Sequence, residues 1–318
     1  MKYTMGIDIG GTKIAYAIFD QERVIVYRYK TPTNANANPK EFEETVAKDI
    51  NHILLQFGIE KSDLKGIAMG FPSYVDFEKG EVVFTSNMPN LRHFKAKEVF
   101  EKRFPGIKIM VDNDTNLAAI AEHAYGAGRG YKNFLYTAIS TGIGSGFILN
   151  DQIYRGSYGG AGESGHMLIT PDVGVKCGCD NAGCFMSYCS GSMIVRHAAQ
   201  KINAGRQSIM SDMVDGHLEK LTAVHLNEAL QKKDALAEEL VDQMGYYLGI
   251  YIYNMFIGLN INCYVFGGGM TRLGKPLFNK IIETVERYNH QEDQKIYYKM
   301  AELGDDFGVI GASLLLDM

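Results

Sequence analysis

The sequence YTMGIDIGGTKIAYAIF occupies residues 3–19 and predicts two short strands joined by a glycine turn. Residues 3–9 and 14–19 are mostly apolar, which is typical of buried strands. A tight turn between two strands exposes backbone N–H groups that can bind phosphate oxygens, and the neighbouring Asp8 offers a carboxylate for Mg²⁺. A Gly-Gly hairpin without any ligand has the same pattern, so this motif alone does not decide the function.

The same pattern recurs in the second half of the chain. An apolar strand over residues 134–140 leads into the glycine-rich run TGIGSG at 141–146, and an apolar strand follows. Two such hairpins, each opening one half of the chain, predict an internal duplication. Two phosphate-binding turns that face each other across a cleft would hold a nucleotide. A third turn, FGGG at 266–269, follows another apolar strand.

Residues 162–184, GESGHMLITPDVGVKCGCDNAGC, carry a set of metal-ligating side chains. One imidazole and three thiolates are the ligand types of a tetrahedral zinc site, and they come from His166, Cys177, Cys179 and Cys184. The glycine- and aspartate-rich surroundings predict a loop, which a metal could hold together. Glu163 lies three residues before the histidine and would be placed beside this loop. The alternative is four unconnected residues, since reduced cysteines are common in protein cores.

Polar residues follow the predicted strand over residues 107–111. The run DNDTN at 112–116 precedes a predicted helix over 117–124, and ligands of α/β proteins gather at such strand ends. We expect Asp114 to act as a general base and Asn113 to bind a hydroxyl group. Helix capping by either residue is the alternative. Asn87 and Asn90, in an asparagine-rich loop after the strand that begins at residue 81, could also bind a hydroxylated ligand or serve only the turn.

Length, charge and periodicity limit the remaining possibilities. A chain of 318 residues favours two domains, and a net charge of −5 argues against a nucleic-acid binder. Five cysteines, mostly in one cluster, fit a reducing compartment. The N-terminus does not resemble a signal peptide and no apolar run is long enough to span a membrane, so we expect a cytoplasmic protein. Apolar spacing predicts helices over residues 40–57 and 235–256, and we expect a short loop followed by a helix over residues 304–316.

Together these motifs resemble those of a known kinase family. DIGGTK at 8–13, TGIGSG at 141–146 and FGGG at 266–269 are similar to the nucleotide motifs of actin-like sugar kinases. DNDTN, ESGH at 163–166 and the cysteine cluster resemble the ROK family (repressor, open reading frame, kinase) over nearly the whole chain. The resemblance implies an α/β fold of two RNase H-like (actin-like) domains with a cleft between them. We expect domains over residues 1–120 and 121–304, and we leave open whether the last helix, 305–318, belongs to the first.

The resemblance also implies the ligands and the residues that bind them. The ligands would be ATP, Mg²⁺, Zn²⁺ and a hexose, in a homodimer or homotetramer. Asp114 would be the catalytic base, and the sugar would be bound by Asn113, Glu163, His166 and the residue at position 186. Asn87 is added to the predicted sugar-binding residues from its place in the asparagine-rich loop. His166 would also bind the metal. ATP would be bound by Asp8, Gly10, Gly11, Thr12, Lys13, Thr141, Gly142, Gly144, Gly267, Gly268 and Gly269.

Two positions depart from the family pattern. Asp180 stands where the family has Gly, which concerns only the loop. Met186 stands where the family has a Glu that accepts hydrogen bonds from sugar hydroxyls near the anomeric carbon. Met offers only a weak acceptor, although water or a neighbour such as Tyr188 could replace the contact.

Function follows from these motifs as an expectation. We expect an ATP-dependent hexose kinase acting on the 6-hydroxyl, with glucose as the first candidate. A β-glucoside, allose or an N-acetylhexosamine is the alternative that Met186 leaves open. A non-catalytic sugar sensor should have lost Asp114 or the glycine turns, and neither is lost. A repressor of this family would need a DNA-binding domain before Asp8, for which the chain has no room.

Overall fold

A computed structural model describes residues 2–72, 74–85, 87–171, 174–291 and 293–318. Its strands are β1 (Tyr3–Ile9), β2 (Lys13–Phe19), β3 (Ile25–Pro32), β4 (Leu64–Phe71), β5 (Tyr74–Asp76), β6 (Glu81–Phe84), β7 (Lys108–Asn113), β8 (Phe134–Ile139), β9 (Ile143–Leu149), β10 (Gln152–Tyr154), β11 (Cys263–Gly267) and β12 (Tyr297–Met300). The strand–turn–strand arrangement predicted for residues 3–19 is confirmed.

The helices are α1 (Pro39–Phe57), α2 (Ala96–Arg103), α3 (Asp114–Tyr125), α4 (Met186–Cys189), α5 (Gly191–Asn203), α6 (Ile209–Asp212), α7 (Ala223–Gln231), α8 (Ala235–Leu259), α9 (Lys275–Tyr288) and α10 (Phe307–Leu315). The helices predicted over residues 40–57 and 235–256 are confirmed within a few residues, and so is the loop and helix predicted for residues 304–316. No helix of the described ranges is long and apolar enough to cross a membrane.

The chain divides into two compact units. The first contains Met1–Lys132, Gly146–Gly162 and Ala301–Met318, and the second contains Asn133–Ser145 and Glu163–Met300. The last helix, α10, therefore groups with the N-terminal residues.

The first five-stranded sheet has the order β3-β2-β1-β4-β7. β1 and β2 pair antiparallel, whereas β4 pairs in parallel with both β1 and β7. Helix α1 packs on one face through apolar side chains at helical spacing, among them Phe42, Val46, Ile50 and Ile53. Asn38 caps this helix, and its side chain accepts hydrogen bonds from the backbone of Lys40 and Glu41. The carboxyl ends of β1, β4 and β7 thus share one edge of the sheet.

The second five-stranded sheet has the order β10-β9-β8-β11-β12, which repeats the arrangement of the first. β11 pairs in parallel with β8 and β12, and β10 pairs antiparallel with β9. The equal strand orders agree with the internal duplication that the two glycine hairpins predict. Helices α8 and α9 pack together, and α8 contributes buried Leu236, Leu240, Met244 and Tyr251.

One boundary differs from the prediction. The helix expected from residue 117 begins at Asp114, and the strand expected to end at residue 111 continues to Asn113. The Asn113 side chain caps the helix, so the chain changes from strand to helix without a loop. Asp114 becomes the first residue of α3, where the helix dipole favours a negative charge.

Candidate active site

The first turn, residues 10–13, is closed by its own backbone and braced by Thr33. Gly10 N donates to Lys13 O at 2.9 Å. The Thr33 hydroxyl donates to Gly10 O at 2.7 Å, and Thr33 N donates to Thr12 O at 3.0 Å. Because these carbonyl groups are engaged, the turn has a fixed backbone, as a phosphate-binding turn requires.

The charged side chains of Asp8, Lys13 and Asp305 lie beside this turn. A Cβ on Gly308 would lie 2.4 Å from the Asp8 carboxyl carbon, so the start of α10 can approach Asp8 only because residue 308 is glycine. Burial raises the pKa of Asp8 to about 6, with Lys13 lowering it and Asp305 raising it. Lys13 Nζ lies 3.3 Å from an Asp305 carboxylate oxygen. A carboxylate that is costly to ionise alone is suited to a bound cation.

Asn87 lies against the same turn. A Cβ on Gly11 would be 3.3 Å from the Asn87 Cβ and Cγ atoms, and Asn87 itself is exposed. The neighbouring Asn90 instead donates its side-chain amide to Asn36 O at 2.9 Å. Asn90 therefore fits the interpretation as a loop residue, while Asn87 is placed beside a predicted phosphate-binding turn.

The base segment, residues 112–116, joins β7 to α3. The Asn113 side-chain oxygen accepts from Thr115 N at 2.8 Å and from Asn116 N at 3.2 Å. A hydrogen bond from Asn113 to a sugar hydroxyl would therefore have to come from its amide N–H groups. Asp114 is half-buried, and one of its carboxylate oxygens accepts from the Thr115 hydroxyl at 3.1 Å. Capping and ligand binding are thus compatible here, because different residues and atoms would perform them.

The second turn, residues 140–142, lies at the beginning of α5. Gly191 N donates to Ser140 O at 2.8 Å, and the Ser192 hydroxyl donates to Thr141 O at 2.7 Å. β9 begins at Ile143, so Gly144 lies within a strand and not within the turn as its glycine-rich run suggests.

A cavity of about 570 Å³ opens beside the second turn. Its lining combines the two glycine turns of this unit with parts of α5 and α7 and is apolar in its larger part: Ser140, Thr141, Gly191, Ser192, Val195, Leu221–Val224, Asn227, Gly269, Met270, Arg272 and Leu273. The volume lies in the range of small-molecule sites. The helical residues of this wall carry no motif, which explains why the sequence indicated only the turns.

The third turn, residues 267–269, needs its glycines for packing. A Cβ on Gly267 would lie 2.1 Å from the Tyr136 hydroxyl oxygen, and one on Gly268 would lie 2.5 Å from Ile139 O. Gly268 also has a φ of 87°, in the left-handed region that favours glycine. Gly269 has open space around its Cα and lines the cavity.

Glu163 precedes and His166 ends a single helical turn, Ser164–His166, which is anchored by buried hydroxyl groups. Ser164 hydrogen-bonds to Ser145 at 2.7 Å, and Ser145 hydrogen-bonds to Tyr251 at 2.8 Å. The loss of water around the Glu163 carboxyl raises its pKa, while His166 lowers it. This chain of hydroxyl groups fixes the turn that carries both predicted sugar ligands.

The cysteine loop, residues 174–184, brings the four predicted metal ligands together. The ligand atoms of His166, Cys177, Cys179 and Cys184 all lie within 4.8 Å of one another. Cys177 Sγ lies 3.7 Å from His166 Nδ1, and the Sγ atoms of Cys179 and Cys184 are 3.6 Å apart. Tetrahedral Zn–S bonds of about 2.3 Å would place sulfur atoms about 3.8 Å apart. The donor set and its spacing therefore fit a zinc ion.

Asp180 explains one departure from the family pattern. Its φ is 69°, in the left-handed region where Gly is unstrained and Asp is tolerated. The family glycine thus corresponds to a backbone requirement that this chain meets with an aspartate. Gly183 has a φ of 81°, and a Cβ there would lie 2.0 Å from Thr170 O, so that position requires glycine.

Met186, at the start of α4, lies between Gly142 of the second turn and Gly165. A Cβ on Gly165 would be 3.3 Å from the Met186 Cβ, and one on Gly142 would be 3.4 Å from the Met186 methyl carbon. The Tyr188 hydroxyl hydrogen-bonds with Thr170 and accepts from Val175 N at 3.0 Å. Tyr188 therefore supports the segment around the cysteine loop and is not placed to replace the missing carboxylate.

The comparisons with known proteins agree with this arrangement. The fold is that of the actin-like ATPases, with the repeated sheet and glycine turns described above. The ROK family model matches residues 4–318. The chain therefore belongs to the ROK family.

Relatives with solved structures or curated names cover almost the whole chain. A glucokinase of Halalkalibacterium halodurans is 33% identical over 99% of this chain and 95% of its own length. A ROK family glucokinase of Streptomyces griseus, solved with glucose and AMPPNP, is 29% identical with a TM-score of 0.80, covering 98% of each chain. A ROK hexokinase of Thermus thermophilus is 29% identical with a TM-score of 0.82, covering 98% of this chain and 97% of its own.

Proposed function

We propose that the protein is an ATP-dependent hexose kinase that phosphorylates the 6-hydroxyl of a glucose-type sugar. The observation that carries the proposal is the base segment, where Asp114 is half-buried at the first residue of α3. A carboxylate there can take the proton of a hydroxyl group while the oxygen attacks phosphorus. The family and the relatives named glucokinase support the same reaction.

The reaction assigns one task to each group of residues. The hydroxyl proton passes to the Asp114 carboxylate, a new oxygen–phosphorus bond forms at the γ-phosphorus, and the bond to the departing ADP oxygen breaks. The first turn would bind phosphate oxygens through backbone N–H groups. Asp8 would hold Mg²⁺ through water, and bound Mg²⁺ supplies charge neutralisation of the phosphates.

The nucleoside would occupy the cavity beside the second turn. Its volume of about 570 Å³ and its largely apolar wall suit a purine and ribose. Thr141 and Gly269 line this cavity. Together with Gly142, Gly267 and Gly268 they belong to the turns that the family resemblance relates to ATP.

The zinc ion would have a structural role. Bound to His166, Cys177, Cys179 and Cys184, it would fix the cysteine loop and the imidazole that the resemblance also relates to the sugar. Glu163 and Asn113 would hydrogen-bond to sugar hydroxyls, together with Asn87 if the sugar reaches the first turn. We further propose a cytoplasmic homodimer or homotetramer, following the family pattern.

Met186 favours a second candidate substrate, a β-glucoside. The thioether of Met186 cannot accept a strong hydrogen bond from an anomeric hydroxyl, but it can pack against an aglycone. Allose or an N-acetylhexosamine would be further alternatives with different stereochemistry or substituents.

A coupled kinase assay tests these proposals. ADP release should be measured with ATP and a panel of glucose, allose, N-acetylhexosamines and β-glucosides. We expect turnover with at least one hexose and the highest kcat/KM for glucose, whereas a preference for the β-glucoside would support the second candidate. Sugar binding without turnover across the whole panel would instead indicate a sensor.

A further inference from the structure

Asp112, the first residue of the base segment, is a buried carboxylate with four close contacts. Its side chain is 1% exposed. One carboxylate oxygen accepts from Asn113 N at 2.8 Å and from the Asn116 side-chain amide at 2.9 Å. These two bonds tie the end of β7 to the first turn of α3, on either side of Asp114. A carboxylate buried this far requires a counter-charge.

Arg155 supplies that charge from a distant part of the sequence. Its Nε donates to the other carboxylate oxygen of Asp112 at 2.8 Å, and its Nη2 lies 2.7 Å from the same oxygen. The guanidinium carbon is 3.7 Å from the centre of the Phe77 ring. The planar guanidinium is thus held between a carboxylate and an aromatic face, an arrangement that lysine cannot reproduce.

The backbone of Arg155 also closes the loop that follows β10. Ala161 N donates to Arg155 O at 3.1 Å, and Gly156 has a φ of 70°, so the chain turns sharply after Arg155. Tyr74, from β5, donates its hydroxyl hydrogen bond to Tyr158 O within the same loop. Arg155 therefore connects a fixed loop to the base segment through a single buried ion pair.

We propose that Arg155 is a positioning residue of the phosphoryl transfer, which holds Asp112 and, through it, the Asp114 carboxylate in the orientation that accepts the proton. The proposal rests on the hexose kinase function proposed above. Without Arg155, the buried Asp112 carboxylate lacks a counter-charge, which favours its rotation toward water. That rotation breaks its hydrogen bonds to Asn113 and Asn116. The start of α3 then moves, and a shift of about 1 Å at a reacting group can cost roughly 10² in rate.

The test compares Arg155→Lys and Arg155→Gln with a matched control, Arg23→Lys. Arg23 lies in the same unit, its side chain is also 17% exposed, and it pairs with Asp317. Functional sites are counted by titration with a non-hydrolysable ATP analogue, so that kcat refers to folded protein only. We expect kcat to fall about 100-fold for Arg155→Gln and about tenfold for Arg155→Lys. The analogue's Kd should stay within about twofold, and Arg23→Lys should retain the wild-type kcat.

Two outcomes would overturn the proposal while leaving the kinase function standing. The first is an unchanged kcat per nucleotide site in both Arg155 variants, so that any loss of total activity reflects fewer folded molecules. The second is an equal loss of kcat in Arg23→Lys. A wild-type protein that phosphorylates no hexose would instead overturn the proposed function itself. If Arg155→Gln does not fold, Arg155→Lys, which retains the charge, is still compared with wild type and with Arg23→Lys by its kcat per nucleotide site.

Discussion

The base segment carries the predicted sugar-binding residues Asn113 and Asp114, and the cysteine loop lies between the predicted residues His166 and Met186 in the sequence. The two regions are stabilised in different ways. In the base segment, a strand runs directly into a helix, and side chains of the segment itself form the cap and the buried hydrogen bonds. The cysteine loop has isolated bridges and turns, with two left-handed residues and a cluster of four ligand atoms. The first can hold its geometry with the polypeptide alone, whereas the second would take additional support from the proposed zinc ion.

The largest effect is expected in the base segment. Asp114→Asn keeps the size of the side chain and its place at the start of α3, but it removes the proton acceptor. We expect kcat to fall by roughly 10²–10⁴ at saturating ATP and sugar, the usual range for a general base. Binding of a non-hydrolysable ATP analogue should stay unchanged. A variant with near wild-type kcat would show that Asp114 is not the base.

The next effect concerns the metal of the cysteine loop. The purified protein should contain about one zinc ion per chain, and Cys179→Ser should lower that content because it removes one of four ligands. We expect sugar KM to rise about 10- to 100-fold, since His166 and its turn lose their support.

The matched control for this change is Cys263→Ser. Cys263 is buried in β11, outside the ligand cluster, so its replacement should leave the zinc content unchanged. Elemental analysis measures both variants. An active wild-type preparation without zinc would contradict the metal role.

A smaller effect is expected at Met186, which links the cysteine loop to substrate choice. Met186→Glu should strengthen the binding of glucose in the transition state by about 1–2 kcal/mol, the value of one charged hydrogen bond, and so raise kcat/KM for glucose. The β-glucoside should gain nothing, because its aglycone crowds the new carboxylate. Met186→Gln is the uncharged control and should gain less for glucose. Equal changes for both sugars would place Met186 away from the anomeric position.

The smallest effect is a gain in stability at Asp180. Asp180→Gly relieves a left-handed backbone conformation, which costs roughly 1 kcal/mol for a residue with a Cβ. The greater freedom of glycine in the unfolded chain offsets part of that gain. We expect the free energy of unfolding to rise by about 0.5 kcal/mol in denaturant titrations, with zinc content unchanged. A clear loss of stability would mean that the aspartate side chain contributes contacts of its own.

The sequence predicts the two regions unequally well. Ligand types and spacing identify the cysteine cluster because a tetrahedral metal site is local in sequence. In the base segment the motif predicts Asp114, but the boundary of α3 is shifted because Asn113 caps the helix three residues earlier than the apolar pattern indicates. Arg155 pairs with Asp112 across 43 residues, and no local pattern marks such a contact. The helical wall of the cavity is missed for the same reason.

The glycines also differ in how far the sequence predicts them. A local strand–turn–strand pattern predicts the turn at Gly10 and Gly11, and the structure confirms that pattern. Gly308 is required because the Asp8 carboxyl lies where its Cβ would be, and only the folded first unit brings α10 to that position. Close approaches between distant elements are therefore the part of the site that sequence patterns do not reveal.

The central claim, phosphoryl transfer to the 6-hydroxyl, is tested most directly by comparing glucose with 6-deoxyglucose. Each sugar is incubated with ATP, Mg²⁺ and the protein, and the products are identified by mass spectrometry. From glucose we predict a hexose monophosphate and an equal amount of ADP. From 6-deoxyglucose we predict no more sugar phosphate than the Asp114→Asn variant forms. Phosphorylation of 6-deoxyglucose at the glucose rate would contradict the account, as would the absence of any sugar phosphate from every hexose of the panel.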